Sequence, residues 1–278
     1  MTDATLLWVR QAQRTGGSIP AWWDGKEWGA SYPEVTAYLI PTLLAWDEPD
    51  MARAAAEYLL AVQRVDGAFP GLDGLSRSFD TGACLEGLLA AWKKFRDPRF
   101  NQAATKAREW LKGMVREDGA LQIAPTLTDT NAYTCRVDGI LRRVKGLRYW
   151  MPPGIWHPGW GDRERAHYIA YCLEGLWVGG VREPVAVVLE AAKRVIRPDG
   201  LMPFYVWRGW NDPEGSCLTA TAQFAMLFRW AGMDASVLIE GLREVRHEQG
   251  GFTVSKGDGP HVSWAAKFWL DAIKAEAQ

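Results

Sequence analysis

Apolar residues recur along this chain with the period of an α-helix, and they do so in two distinguishable ways. The segments 49–65, 97–115 and 184–196 carry charged residues on one side and apolar ones on the other, as a helix half exposed to water should. The segments 37–46, 81–92 and 217–231 are apolar or small almost all round, which predicts helices buried on every side. Glycines within such segments (Gly87, Gly139, Gly175) weaken helix propensity but let a neighbouring helix come close.

A short tag punctuates the pattern: QRTGG at 13–17, QRVDG at 63–67, REDG at 116–119, RPDG at 197–200 and HEQGG at 247–251. Each reads as a helix stop, because glycine supplies a left-handed cap residue and basic side chains suit the end of the helix dipole. After each tag comes an aromatic or small apolar stretch and then a second helix. Those second helices are expected to start near Glu34, Phe79, Asn131, Ala166, Cys217 and Ser263, at spacings of 45, 52, 35, 51 and 46 residues. CLEGL at 84–88 returns at 172–176, and CRVDGI at 135–140 is a looser copy.

A period of this length marks repeated helical hairpins. Six of them, alternating half-exposed outer helices with buried inner ones, predict an all-α fold, an (α/α)6 toroid spanning residues 1–278 as a single domain. An open solenoid uses the same hairpins. The all-apolar inner helices and the count of six favour closure. Between Arg148 and Ala166 the chain is rich in Pro, Gly and Trp, so one outer helix is expected to be shortened or missing there. No strand pattern and no interdomain linker stand out.

Composition narrows the partners. With 32 basic and 33 acidic residues dispersed along the chain and a net charge of -1, no basic stripe argues for nucleic acid. The first thirteen residues lack a signal-peptide pattern, and no apolar run is long enough to span a bilayer, so a cytoplasmic protein is expected. Cys84, Cys135, Cys172 and Cys217 are too far apart for a zinc or redox motif and read as free core residues. The four histidines show no ligand spacing, so neither metal nor cofactor is expected.

Tryptophan is the compositional anomaly, with 16 residues. Nine (Trp22, Trp23, Trp28, Trp150, Trp156, Trp160, Trp207, Trp210, Trp264) fall in the loops leading to inner helices, or in the first turn after them, which in a double ring share one rim. Indole faces suit the C–H faces of sugar rings; an aromatic cavity also suits carbocations, as in terpenoid cyclases. Plain anchoring of long loops is the third reading.

Polar residues in the first turns of inner helices should face that mouth. Glu34, with Tyr38 one turn on, and Asp80 at the equivalent place on the next inner helix form a candidate carboxylate pair for glycoside cleavage. The competing reading is that both are helix-start acids, with Asp80 as an N-cap. His167, with Tyr171 at i+4, could carry a proton to and from C5 of a uronic acid, as a lyase or epimerase requires. Glu86, Asp138 and Glu174 recur before glycine in mid-helix and read as structural.

The segments 31–42 (SYPEVTAYLIPT), 79–82 (FDTG), 167–175 (HYIAYCLEG), 217–223 (CLTATAQ) and 264–272 (WAAKFWLDA) resemble a bacterial family encoded among exopolysaccharide biosynthesis genes. Its members are described as prenyltransferase-like or squalene-cyclase-like toroids. The resemblance spans the chain and implies the toroid fold without naming a reaction. Ala37 and Ala220 stand where that family tends to have glycine. The acidic run of true squalene-type cyclases is absent, since Thr128-Asp129-Thr130 offers one Asp, and no zinc site of the protein-prenyltransferase kind can be assembled.

The leading expectation is a glycoside hydrolase acting on an oligo- or polysaccharide with Glu34 and Asp80. Trp22, Trp23, Trp156, Trp210 and Trp264 would hold the sugar, and Arg136, His167 and Lys267 would meet a carboxylate or hydroxyls. The alternatives are a polysaccharide lyase or uronate C5-epimerase using His167 and Tyr171, a non-catalytic polysaccharide-binding or assembly protein, and a terpenoid cyclase-like enzyme.

Overall fold

The computed structural model describes residues 3–142, 162–257 and 259–274. Among these residues eleven α-helices form: α1 (Ala4–Ala12), α2 (Pro33–Ala45), α3 (Pro49–Val62), α4 (Ser78–Phe95), α5 (Pro98–Gly113), α6 (Ala132–Ile140), α7 (Ala166–Val178), α8 (Arg182–Ala192), α9 (Leu218–Trp230), α10 (Ser236–Val245) and α11 (Ser263–Lys274). Their starts are written locally. Pro33, Pro49 and Pro98 occupy first helical positions, where a missing N–H costs nothing. Asp3 and Asp97 accept backbone N–H bonds as N-caps, and Asn131 and Thr134 form a reciprocal capping box. Each inner helix begins within one residue of the position its pattern predicts.

Periodicity decides which helices lie outside. The buried residues of α3 are Ala52, Ala55, Ala56 and Leu59, and those of α5 are Phe100, Ala103, Ala104, Ala107 and Leu111. That is one stripe at i, i+3, i+4 and i+7, with charge on the opposite face. In α9, by contrast, every residue from Leu218 to Phe228 is buried. The helices α2, α4, α6, α7, α9 and α11 pack in that order, and α11 returns to α2, closing an inner ring; α3, α5, α8, α10 and α1 pack outside it. The chain is therefore an all-α (α/α) toroid.

The tag glycines close the outer layer. A Cβ on Gly67 would lie 2.4 Å from the Lys106 carbonyl oxygen in α5, and one on Gly250 would lie 2.3 Å from the Ala4 oxygen in α1. Both adopt φ of +95°, so left-handed backbone and contact with the next outer helix demand the same residue. Inside, Gly139 and Gly175 bring α6 and α7 together, each leaving room for the other helix's backbone. Pro41 within α2 removes the N–H that the Ala37 carbonyl would otherwise accept, and Gly87 of α4 packs directly over that oxygen.

Short strands stand where no strand pattern was evident. β1 (Trp22–Trp23) pairs antiparallel with β5 (His261–Val262), while β2 (Arg163–Arg165), β3 (Tyr205–Trp207) and β4 (Asn211–Glu214) form a three-stranded sheet. All lie in the rim loops. Strands of two to four residues are too short to show an alternating period, and they form because rim backbone must find hydrogen-bond partners. The shortened outer helix expected before Ala166 falls mainly on residues 143–161, outside the described residues. Among the described residues no helix is long and apolar enough to cross a membrane. The four cysteines are free and buried, as their spacing implied.

Candidate functional site

The inner helices all begin at one rim, and a cavity of about 460 Å³ opens there. The second residue of five inner helices lines it: Glu34, Phe79, Tyr133, His167 and Trp264. Asp80, Tyr38 and Tyr171 join them from the same first two turns, and Tyr32, Arg77 and Arg165 from the residues just before a helix. Side chains near a helix start project past the ring's end, so positions equivalent in the repeat converge.

Glu34 and Asp80 are both buried, with 5% and 1% of their surface exposed. Neither is spent on a helix cap. Asp80 is the third residue of α4, whose N-cap is Arg77, and Glu34 follows Pro33 in α2 without a capping bond. Burial and the nearby Asp80 charge push the Glu34 carboxyl up to about 8, against the opposing pull of the Tyr38 and Tyr32 hydroxyls beside it. Burial also raises Asp80, to about 6. Two features hold Asp80 anionic: the Tyr32 hydroxyl donates to its Oδ1 at 2.7 Å, and the Arg77 guanidinium lies 3.9 Å from its Oδ2. These influences favour one proton on the pair at neutral pH, with Glu34 as its carrier because Tyr32 and Arg77 favour the Asp80 anion. Asp80 Oδ2 is buried without a hydrogen-bond partner, beside Gly71 and the Arg77 guanidinium.

On the opposite wall, His167 Nδ1 lies 2.6 Å from Gln223 Oε1 of α9. With the amide oxygen facing the ring, Nδ1 carries the proton and Nε2 is the free basic nitrogen. Burial pulls His167 down to about 4, so the ring is neutral at physiological pH. Around it Tyr133, Tyr168, Tyr171 and Phe79 pack edge to face, with centroids 4.5–5.2 Å apart across Tyr133. Burial holds the Tyr171 hydroxyl well above its ordinary range.

The cavity is lined chiefly by tyrosine. Of the predicted sugar-holding tryptophans among the described residues, only Trp264 faces it. Trp22 and Trp23 lie in β1, where Trp23 packs on His261 and His247. Trp28 packs against Trp8 of α1, and Trp210 sits edge-on to Phe224 and is 7% exposed. Trp207 is exposed and donates its indole N–H to Glu214. These rings pin the rim loops to the core. Trp150, Trp156 and Trp160 lie outside the described residues.

Arg136 and Lys267 are also placed differently from expectation. Each is the fifth residue of its helix, neither lines the cavity, and each is already paired. Arg136 contacts Glu86 at 2.7 Å and Glu174 at 3.0 Å; Lys267 contacts Asp271 at 2.9 Å and covers the Phe268 ring at 4.1 Å. A guanidinium 3% exposed needs such partners, so it neutralises the carboxylates of α4 and α7 rather than a ligand. The residues that sequence reasoning missed are Tyr32, Arg77, Phe79, Tyr133, Tyr168 and Arg165. For Phe79 and Tyr133 a signal existed, since both stand at the repeat position of Glu34 and His167.

No protein-family model matches the chain, and no curated protein sequence matches it. Solved structures do. A sugar epimerase from a ruminal bacterium superposes with a TM-score of 0.75 over 98% of this chain and 96% of its own, at 11% identity. An unsaturated glucuronyl hydrolase from Bacillus sp. GL1 gives 0.71 over 98% and 94%, at 13% identity. The type II terpene cyclase MstE from Scytonema gives 0.71 over 98% and 95%, at 14% identity. The fold is shared. At such low identity the chemistry has to be argued from the cavity itself. Among the described residues no group of three or more His, Cys, Asp or Glu is placed to hold a metal ion.

Proposed function

We propose that this protein is a carbohydrate-active enzyme that cleaves glycosidic bonds in a bacterial polysaccharide, in keeping with its resemblance to proteins of exopolysaccharide loci. The observation that carries the reading is two buried carboxyls lining a single cavity in unlike settings, Glu34 pushed up by burial and Asp80 bonded by the Tyr32 hydroxyl beside the Arg77 guanidinium. Glycoside cleavage needs that asymmetry: an acid to protonate the leaving oxygen and a carboxylate to act at the anomeric carbon. Glu34 donates its proton to the glycosidic oxygen. Asp80, which lines the same cavity, either deprotonates a water or attacks the anomeric carbon directly. Tyr32 keeps Asp80 ionised and oriented, and five tyrosine hydroxyls with two guanidinium groups suit a polyol better than a hydrocarbon.

The test is hydrolysis of a bacterial exopolysaccharide panel by the wild type, Glu34→Gln and Asp80→Asn, followed by reducing-end release and mass spectrometry. Loss of product in both variants, with unchanged helicity, supports the assignment; full activity in either overturns it. A second reading is favoured by the neutral His167 with a free Nε2. There His167 removes the C5 proton of a uronic acid and Tyr171 protonates the departing C4 oxygen, leaving an unsaturated sugar. Ultraviolet absorbance of the products separates the two.

A further inference from the structure

Among the described residues, the cavity's two arginines differ in how far their charge is already engaged. Arg77 is engaged by Asp73, through hydrogen bonds from both guanidinium nitrogens, and lies near Asp80. Arg165 differs. It lines the cavity as the residue before α7, two positions ahead of His167, yet among the described residues it forms no ion pair. The stretch 143–161, which precedes it in sequence, contains Arg143, Lys145 and Arg148 and neither Asp nor Glu. Aromatic rings hold the guanidinium instead: Nη1 donates to the Tyr168 hydroxyl at 3.2 Å, and the group lies 5.3, 5.5 and 6.0 Å from the rings of Tyr168, Phe204 and Tyr205. Strand pairing of Arg165 with Tyr205 fixes the backbone that carries it.

A guanidinium held by rings and hydroxyls keeps its fork free for a planar or tetrahedral anion. In the ring order α7 stands opposite α2, so Arg165 faces the Glu34 wall across the mouth. We infer that Arg165 is an anchor for the acidic group of a saccharide, making the substrate an anionic glycan whose uronate carboxylate, or equivalent acidic substituent, docks on Arg165 while its glycosidic bond reaches Glu34 and Asp80. This inference rests on the glycan-cleaving reading above. It moves the anion-binding role from Arg136 and Lys267, which are neutralised internally, to a residue before the helix start. It also gives Tyr168 a purpose, since its hydroxyl accepts from Arg165 and orients the fork.

The test compares di- to tetrasaccharides of glucuronic, galacturonic and mannuronic acid with the same saccharides after carboxyl reduction. Binding is measured by calorimetry on the full chain carrying Asp80→Asn, with and without Arg165→Gln and Arg165→Lys, and turnover on the chain with native Asp80. At least one acidic series is expected to bind tenfold or more tighter than its reduced counterpart, with affinity falling as salt rises. Arg165→Gln should erase that difference, and Arg165→Lys should restore part of it. Equal binding of acidic and reduced forms, or a preference that survives Arg165→Gln, overturns the inference. Cleavage of the acidic saccharides at the same kcat/KM in wild type and Arg165→Gln overturns it too while leaving the hydrolase reading intact. Failure of every saccharide to bind removes both.

Discussion

Replacing Glu34 by Gln tests the electrostatics of the cavity without any knowledge of the substrate. In the folded protein, burial and the Asp80 charge raise the Glu34 carboxyl from 4.5 to about 8. At about 1.4 kcal/mol per pKa unit, that displacement corresponds to about 5 kcal/mol of preference for the protonated form. Because the folded value lies above the unfolded one, the stabilising contribution is full below pH 4.5 and is lost as the pH rises through about 8. Wild-type stability should therefore fall by up to about 5 kcal/mol between pH 5 and pH 9, beyond a smaller loss nearer pH 6 from Asp80. The Gln variant has nothing to ionise at that position, so its stability relative to wild type should climb by a similar amount across the interval. Urea unfolding followed by tryptophan fluorescence at each pH measures this directly. Asp80→Asn removes the like charge and should shrink the wild-type drop. If wild type and Glu34→Gln lose stability in parallel from pH 5 to 9, Glu34 is not the group that holds the proton.

Three further outcomes follow from the geometry. Tyr32→Phe deletes the 2.7 Å bond that favours the Asp80 anion, so the acidic limb of the kcat/KM profile should move up by about one pH unit; an unshifted limb argues against Asp80 as the working carboxylate. Arg136→Ala strands the buried Glu174 carboxylate and the partly buried Glu86, which should cost about 3–5 kcal/mol, visible in calorimetry as a melting temperature lower by about 10 °C. Trp210→Ala empties a rim site packed on Phe224 and should cost about 3–5 kcal/mol, while saccharide affinity of the folded protein stays within about twofold. A selective loss of affinity there would restore the sugar-platform role.

Much of the site was legible because the fold is a repeat. The first turns of six equivalent helices meet at one rim, so Glu34, Asp80, His167 and Trp264 could be chosen from a pattern of starts alone. Arg136 and Lys267 were misplaced because the pattern does not reveal depth. Neither lines the cavity, and a buried cation must find carboxylates: Glu86 and Glu174 on neighbouring helices serve Arg136, and Asp271, one turn along the same helix, serves Lys267. The tryptophans misled for a related reason: a loop indole looks alike in sequence whether it faces a ligand or packs back on Phe224 or Trp8.

What the sequence determined by itself was the architecture. Helix period, proline starts and glycine stops are local signals, and their repetition dictated hairpins, inner and outer faces and the rim on which the inner helices open. What only the tertiary structure decided was the state of charge. The raised carboxyl of Glu34 and the Tyr32 bond that favours the Asp80 anion arise from groups on different parts of the ring meeting at low dielectric. Coulomb energy depends on distance and solvent exposure, and neither is written in the spacing of residues along a chain.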